Sequence, residues 1–162
     1  MYPIYNAILA AFESQKTLFT KNHLKPPFID VFLGQPSDPE AFEFVTPAIF
    51  IDYSIDWRNC VLTIEAHVVD DPGEETNNHN PKRDQGLDHL RYLAICRHII
   101  NGVSAYGTKK LRPSTERPVT TDYFQYHQQN FETLIDDLID LSLIDVPLTT
   151  SPPNSISIEV MS

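Results

Sequence analysis

The chain has 162 residues, with 12 Lys and Arg against 22 Asp and Glu, and its formal net charge is -10. No apolar run approaches the ~20 residues that a membrane-spanning helix needs, and the start lacks the basic region and apolar core of a signal peptide. Its two cysteines cannot build a disulfide-dense scaffold. Its carboxylates would repel phosphates, so general nucleic-acid binding is disfavoured. The length predicts one domain, which we place over 1–146. The tail over 147–162, which contains Pro152 and Pro153, is expected to be an extended arm.

The charge is distributed unevenly along the sequence. Residues 1–81 have a net charge of -8, residues 82–117 one of +5, and residues 118–162, which lack Lys and Arg, one of -7. A solvated surface of mixed charge is one interpretation. The other is self-association, in which a basic face of one copy meets an acidic face of the next and builds a ring.

The first half of the chain predicts one helix and three strands. Residues 3–19 carry apolar side chains at helical spacing. Short runs rich in β-branched and aromatic residues predict strands at 28–33, 46–53 and 61–70. We expect the last two strands to pair as an antiparallel hairpin through the connection at 53–60. Alternation in the last strand predicts that its buried face consists of Leu62, Ile64, Ala66 and Val68.

The second half predicts a loop, a helix and one ambiguous segment. Residues 71–85 are rich in Pro, Gly and Asn and predict a mobile, protruding loop. A helix is expected over 87–100, with an apolar stripe made of Leu87, Leu90, Ala94, Ile95, His98 and Ile99. Apolar spacing further on predicts a helix over 130–143, although alternating aromatic and β-branched residues over 123–135 also fit a strand.

No motif in the sequence indicates a catalytic site. Gly-rich phosphate loops, Gly-x-Ser-x-Gly, His-Glu-x-x-His and Cys-x-x-Cys are all absent. Cys60 and Cys96 are interpreted as reduced packing residues. His89 and His98 lie nine residues apart on the predicted helix, so they point to opposite sides and cannot share a metal ion.

A small metal-dependent enzyme is the main catalytic alternative. Asp52 or Asp56, followed by Glu65 on the next strand, is faintly similar to a metal-dependent nuclease core. Such a core places a lysine two residues after the second acidic group, where this chain has His67. The acidic chain would also repel a phosphodiester, so we expect no enzyme, no metal and no cofactor.

The order of elements resembles the tail terminator (tail completion) proteins of long-tailed phages and prophages. The matching stretches are FVTPAIFIDY at 44–53, then Trp57, then IEAHVVDD at 64–71. The helix at 87–100 and the segment LRPSTE at 111–116 follow in the family's order. The resemblance covers about residues 3–137, and the acidic segment after Asp136 has no counterpart in the family's pattern.

This resemblance implies an α+β fold, with an antiparallel sheet of about four strands and two main helices packed on one face. It favours a strand over 122–136, against the helical spacing. It also implies a structural protein of the virion neck, made in the host cytoplasm and assembled as a ring, typically a homohexamer. The ring would bind the tail tube and the head connector or neck protein, let DNA pass without specific binding, and have no active site.

By motif position, the resemblance places interface residues in three groups. The hairpin group consists of Tyr53, Trp57 and Arg58. The long-loop group consists of Asp70, Asp71, Lys82 and Arg83. The basic group consists of Lys109, Lys110 and Arg112. A head-closure or neck adaptor protein is an alternative of similar architecture. A cytoplasmic adaptor or inhibitor whose acidic surface mimics nucleic acid is a further one.

Overall fold

The computed structural model describes residues 2–38, 40–71 and 79–135. Its helices are α1 (Tyr2–Ser14), α2 (Thr17–Lys21), α3 (Arg83–Gly86) and α4 (Asp88–Ile100), with a single 3-10 turn at Gln35–Ser37. Its strands are β1 (Phe28–Val31), β2 (Ala48–Asp56), β3 (Val61–Asp70), β4 (Arg112–Pro118) and β5 (Gln125–Leu134). The predicted arm at 147–162 lies outside the described residues. No described helix is long and apolar enough to cross a membrane.

The strands form one sheet in the order β1-β2-β3-β5-β4. The predicted α+β class is confirmed, and so is the hairpin of β2 and β3, in which Ala48 pairs with Val69 and Asp56 with Val61. Two details differ from the expectation, since the sheet has five strands and β1 runs parallel to β2. A parallel pair needs a long return, and residues 32–47 supply it with a left-handed turn at Gly34 (φ 93°).

The main core lies between one face of the sheet and helices α1, α2 and α4. The predicted buried face of β3 is confirmed, because Leu62, Ile64, Ala66 and Val68 are all at most 4% exposed. Side chains from α1 and α2 meet them at helical spacing, namely Ile4, Ile8, Phe12 and Phe19. Phe19 reaches this core because the predicted helix over 3–19 breaks between α1 and α2.

The buried face of α4 differs from the predicted stripe. Its buried residues are His89, Tyr92, Leu93, Cys96, Ile99 and Ile100, whereas Leu90 is 54% exposed and Ala94 is also exposed. The Tyr92 ring packs on Phe19 with centroids 5.2 Å apart. The pattern does not specify the buried side because α4 carries apolar side chains around most of its circumference. Cys96 is buried, as expected for a packing residue, whereas Cys60 is exposed and that part of the prediction is wrong.

The segment at 125–134 is a strand, as the family resemblance favoured. The helix predicted over 130–143 is therefore wrong for its described part. β5 lies between β3 and β4, and Phe131 pairs with Ile64 and is fully buried. Ladder partners on both sides satisfy the backbone of β5 and outweigh the local helical spacing.

A matched pair of substitutions on α4 tests this orientation. Leu93→Ala should lower the free energy of unfolding by about 2–5 kcal/mol, because Leu93 is 2% exposed and its loss leaves a cavity. Leu90→Ala should change it by less than about 1 kcal/mol, because that side chain is 54% exposed. Urea unfolding measures both values, and a larger loss for Leu90→Ala would contradict the observed face of α4.

Candidate functional site

The interface residues predicted from the sequence lie at two opposite ends of the sheet. The turn between β2 and β3, the last residues of β5 and the segment before β4 share one end. There the Ile135 amide donates to the Cys60 carbonyl at 2.8 Å, and the Lys109 amide donates to the Leu134 carbonyl at 3.0 Å. We call this the hairpin end, and define it by Tyr53, Trp57, Arg58, Tyr106, Lys109, Lys110, Arg112 and Leu134.

The other predicted residues lie where β3 ends and α4 begins. We call this the loop end, defined by Asp70, Asp71, Lys82, Arg83, Asp84 and Asp88. The Thr46 hydroxyl donates to Asp71 Oδ1 at 2.6 Å, which ties the start of β2 to the end of β3. Residues 72–78 of the predicted protruding loop lie outside the described residues. The structure thus brings the hairpin group together with the basic group, and keeps both apart from the loop group.

The turn at the hairpin end is held by the carboxylate of Asp56. Its Oδ1 accepts the amides of Arg58 at 2.9 Å and Asn59 at 3.1 Å, and its Oδ2 accepts the Asn59 side-chain amide at 2.7 Å. The side-chain bond from Asn59, helped by the backbone bonds, lowers the pKa of Asp56. This closed turn leaves Trp57 65% exposed, so Trp57 is not a core residue.

Among the described residues, large apolar side chains are exposed at both ends of the sheet, with Phe28, Val45, Leu90 and Tyr123 near the loop end and Tyr53, Trp57, Tyr106 and Leu134 at the hairpin end. Tyr53 is 45% exposed, Leu134 47%, Trp57 65% and Tyr106 68%. Single exposed apolar residues are common on proteins, whereas a contiguous group marks a contact surface. Tyr53 is in register with Ile64 and Leu134 with Val61, on alternate faces of β3, so these two side chains do not belong to one contiguous patch. The exposed turn around Trp57, with the cations beside it, is the candidate interaction surface at this end.

The two ends also differ in charge. At the hairpin end the cations Arg58, Lys109, Lys110 and Arg112 stand beside two carboxylates, Asp56 and Glu132. At the loop end the carboxylates are Asp70, Asp71, Asp84 and Asp88. They stand beside Lys82, Arg83 and Arg91, of which Arg91 Nη1 binds Asp88 Oδ1 at 2.6 Å. The hairpin end is therefore a basic area on a chain whose net charge is -10.

The face of the sheet away from the helices carries a polar network centred on Gln128. Its Oε1 accepts Arg117 Nη2 at 2.8 Å, while its Nε2 donates to Glu65 Oε2 and, at 3.1 Å, to Asn130 Oδ1. These hydrogen bonds occupy polar atoms of Gln128, Arg117, Glu65 and Asn130 that could otherwise bind a ligand. Asp52 pairs with Glu65 across β2 and β3, as the enzyme alternative required. Across the described ranges, however, no group of three or more His, Cys, Asp or Glu could hold a metal ion.

A histidine pair that the sequence did not predict joins α4 to β5. His89 Nε2 lies 3.0 Å from His127 Nδ1, within hydrogen-bond distance, and His89 Nδ1 lies 3.9 Å from Asp70 Oδ2. Burial and the neighbouring His89 lower the pKa of His127, although Glu116 opposes them. The pair could not be found from sequence spacing, because its two members meet only when 125–134 is a strand.

A second buried histidine lies under the small core on the other face of the sheet. The His67 ring stacks on Phe32 with centroids 4.0 Å apart, and its Nδ1 lies 2.5 Å from the Tyr126 hydroxyl. Burial lowers the pKa of His67 to about 4 and raises that of Tyr126 to about 12. The nearby Asp52 opposes the shift of His67, and Arg117 adds to it. His67 is therefore a neutral packing residue at neutral pH.

Comparison with known proteins identifies no relative. No family model, no curated protein and no solved structure matches this chain.

The buried His67 predicts a pH dependence of stability. Its pKa is about 4 in the folded chain, against an ordinary value of 6.5, so the unfolded chain binds the proton first as the pH falls. This contribution is fully present above pH 6.5 and is lost between pH 6.5 and 4, by up to about 3 kcal/mol. Urea unfolding at several pH values should show a flatter dependence for His67→Gln than for the unsubstituted chain.

His98→Gln serves as the matched control. His98 is exposed on α4, so His98→Gln removes an imidazole from the surface, and comparison of the two variants isolates the contribution of the buried position. Equal slopes for His67→Gln and the unsubstituted chain between pH 6.5 and 4 would contradict the assignment of His67 as a buried neutral group.

Proposed function

We propose that this chain is a structural protein of a phage or prophage neck, which forms a ring at the end of the tail tube and joins the tail to the head connector. The observation that carries the proposal is the order of elements. A leading helix, a strand, a long hairpin and a second long helix follow the pattern implied by the tail terminator resemblance, and β5 takes the place of that pattern's last strand, with β4 as an additional edge strand. β5 is the most informative element, because the family pattern favours a strand there and the local helical spacing does not.

The distribution of surface chemistry supports assembly through the ends of the sheet. The helices cover one face, and the Gln128 network with the small core around Phe50 occupies the other. At the outer edge, β4 carries Pro113 and Pro118, which lack amide donors and disfavour addition of another strand. The hairpin end and the loop end then offer exposed apolar and charged side chains.

We infer that the basic hairpin end of one copy meets carboxylates at the loop end of the next. Lys109 and Lys110 would then face Asp70 and Asp71 across the contact. Two different surfaces that meet head to tail give a heterologous interface, and such an interface closes into a ring when the rotation between copies closes. The resemblance implies six copies, a partner at each face of the ring and a lumen through which DNA passes without specific binding.

The direct test is the oligomeric state in the presence of tail tubes from the same phage. Negative-stain imaging and native mass spectrometry should show rings at tube ends, and these should be abundant at low salt because charge pairs weaken as salt rises. A chain that stays monomeric with tubes present would contradict the proposal. Binding to isolated head connectors but not to tubes would instead assign the head-closure role.

A matched pair of double substitutions tests the contact surface. Lys109→Glu with Lys110→Glu should weaken assembly on tubes by at least about tenfold, because reversal of two interface charges costs more than about 1.4 kcal/mol. Lys16→Glu with Lys21→Glu makes the same change in net charge at the two ends of α2, which is not part of the hairpin end. This control variant should assemble on tubes like the unsubstituted chain. Equal losses of assembly in both double variants would show that net charge alone, and not the hairpin end, controls assembly.

A further inference from the structure

A cleft at the loop end lies between the start of α4 and the connection from β4 to β5. Its volume is about 420 Å³. Leu87 and Leu90 line it from the side of α4, and Val119 and Phe124 line it from the connection. Leu90 is 54% exposed, so part of this apolar lining faces solvent. The cleft therefore offers apolar contact area to another molecule.

The histidine pair holds the two sides of this cleft together. His89 of α4 and His127 of β5 both line the cleft, and their ring nitrogens lie 3.0 Å apart. His89 is only 5% exposed, and its Nδ1 lies 3.9 Å from Asp70 Oδ2 at the end of β3. A buried contact between the two elements fixes their separation. The cleft is therefore preformed, as ligand-binding clefts generally are.

Trp57 has the size and setting of an anchor for such a cleft. It is 65% exposed on a turn that three hydrogen bonds to Asp56 close. A large aromatic side chain on a rigid turn loses little conformational freedom on binding, and tryptophan often carries much of the binding energy of an interface. A buried tryptophan also needs an acceptor for its indole N–H. The cleft offers polar oxygens in Thr120, Thr121 and Gln125.

The tryptophan and the cleft of one copy cannot meet each other. They lie beyond opposite ends of β3, which has ten residues and so separates them by about 30 Å. The charges beside them are complementary, since Arg58 follows Trp57 in the turn, and Asp84 and Asp88 lie next to the cleft residues Gly86 and Leu87. A second copy of this chain therefore matches the cleft in both apolar and charged groups.

We infer that Trp57 of one copy inserts into the cleft between α4 and the β4–β5 connection of the next copy. The inference rests on the head-to-tail assembly of the proposed function and names the side chain that anchors it. Arg58 then lies close to Asp84 and Asp88 of the neighbouring copy. Each copy gives a tryptophan at one end and receives one at the other, as a heterologous interface requires.

Removal of the anchor tests the side that inserts. Trp57→Ser should weaken assembly on tail tubes by at least about thirtyfold, which is the size of effect typical of an interface hot spot. The matched control is Leu33→Ser, because Leu33 is 67% exposed and follows β1, which ends beside the middle of β2. This control should assemble like the unsubstituted chain.

A charge placed in the cleft tests the side that receives. Leu90→Glu should weaken assembly by at least about tenfold, because a carboxylate replaces part of the apolar lining. Its negative charge alone would attract the basic turn, so a loss of assembly reports the apolar contact. Ala94→Glu makes the same change in charge one turn further along α4, where the side chain is exposed, and should assemble like the unsubstituted chain. Urea unfolding checks that both variants fold.

A mixture of the two interface variants tests the pairing without tubes. The Trp57→Ser copy keeps its cleft and the Leu90→Glu copy keeps its tryptophan, so one contact between them stays intact. Sedimentation at high protein concentration should show one-to-one pairs in the mixture and monomers of each variant alone. Monomers in the mixture, or self-association of either variant alone, would overturn the insertion of Trp57.

The two proposals fail separately. Rings at tube ends that form equally well with Trp57→Ser and with the unsubstituted chain would overturn the insertion of Trp57 and leave the proposed function standing. One-to-one pairs in the mixture, without rings of the unsubstituted chain at tube ends, would support the insertion and contradict the proposed function.

Discussion

The pairing of β3 with both of its neighbours is the constraint on which the rest of the structure depends. β3 is bonded to β2 along nine residue pairs and to β5 along ten. Its backbone is satisfied on both sides, so its apolar side chains can be buried without an unpaired polar group. Ile64 and Val68 enter the helix-side core, while Val69 enters the smaller core on the other face. A shift of one residue would exchange these faces, so burial fixes the register.

That register determines where the candidate contact residues lie. Because the pairs β2–β3, β3–β5 and β5–β4 are antiparallel, the hairpin turn, the end of β5 and the start of β4 meet at one end. Basic side chains separated by some fifty residues in sequence, Arg58 and Lys109, thus share one surface. The helices cover one face of the sheet, and the polar network occupies the other. The two ends of the sheet are therefore the surfaces on which apolar side chains stay exposed.

Much of this fold could be predicted from sequence wherever a helix or strand buries only one of its faces. β3 is the clearest case, since its alternation identified Leu62 and Ile64 as core. α4 was located correctly but its buried side was not, because apolar residues surround it. β5 carries apolar residues at spacings that also suit a helix, and only its neighbours in the sheet decide between the two. The parallel pairing of β1 likewise depends on the path of 32–47, which local pattern does not specify.

The candidate site was predictable to a similar extent. Tyr53, Trp57 and the basic residues of the hairpin end were named from the resemblance, whereas Tyr106 and Leu134 were missed, and the meeting of these residues required the register of β5. The pairing of His89 with His127 required it as well, and also the correct rotation of α4. Contacts of this kind join residues that are far apart in sequence, and no local periodicity encodes them.

Cross-linking between isotopically labelled and unlabelled copies on tail tubes measures which surfaces meet in the assembly. A photoreactive group placed at Arg58 should link labelled to unlabelled chains through peptides of the loop end, around Lys82 to Asp88. Links that join the hairpin end of one copy to the hairpin end of another would contradict head-to-tail assembly. The absence of any link between copies on tubes would contradict the ring itself.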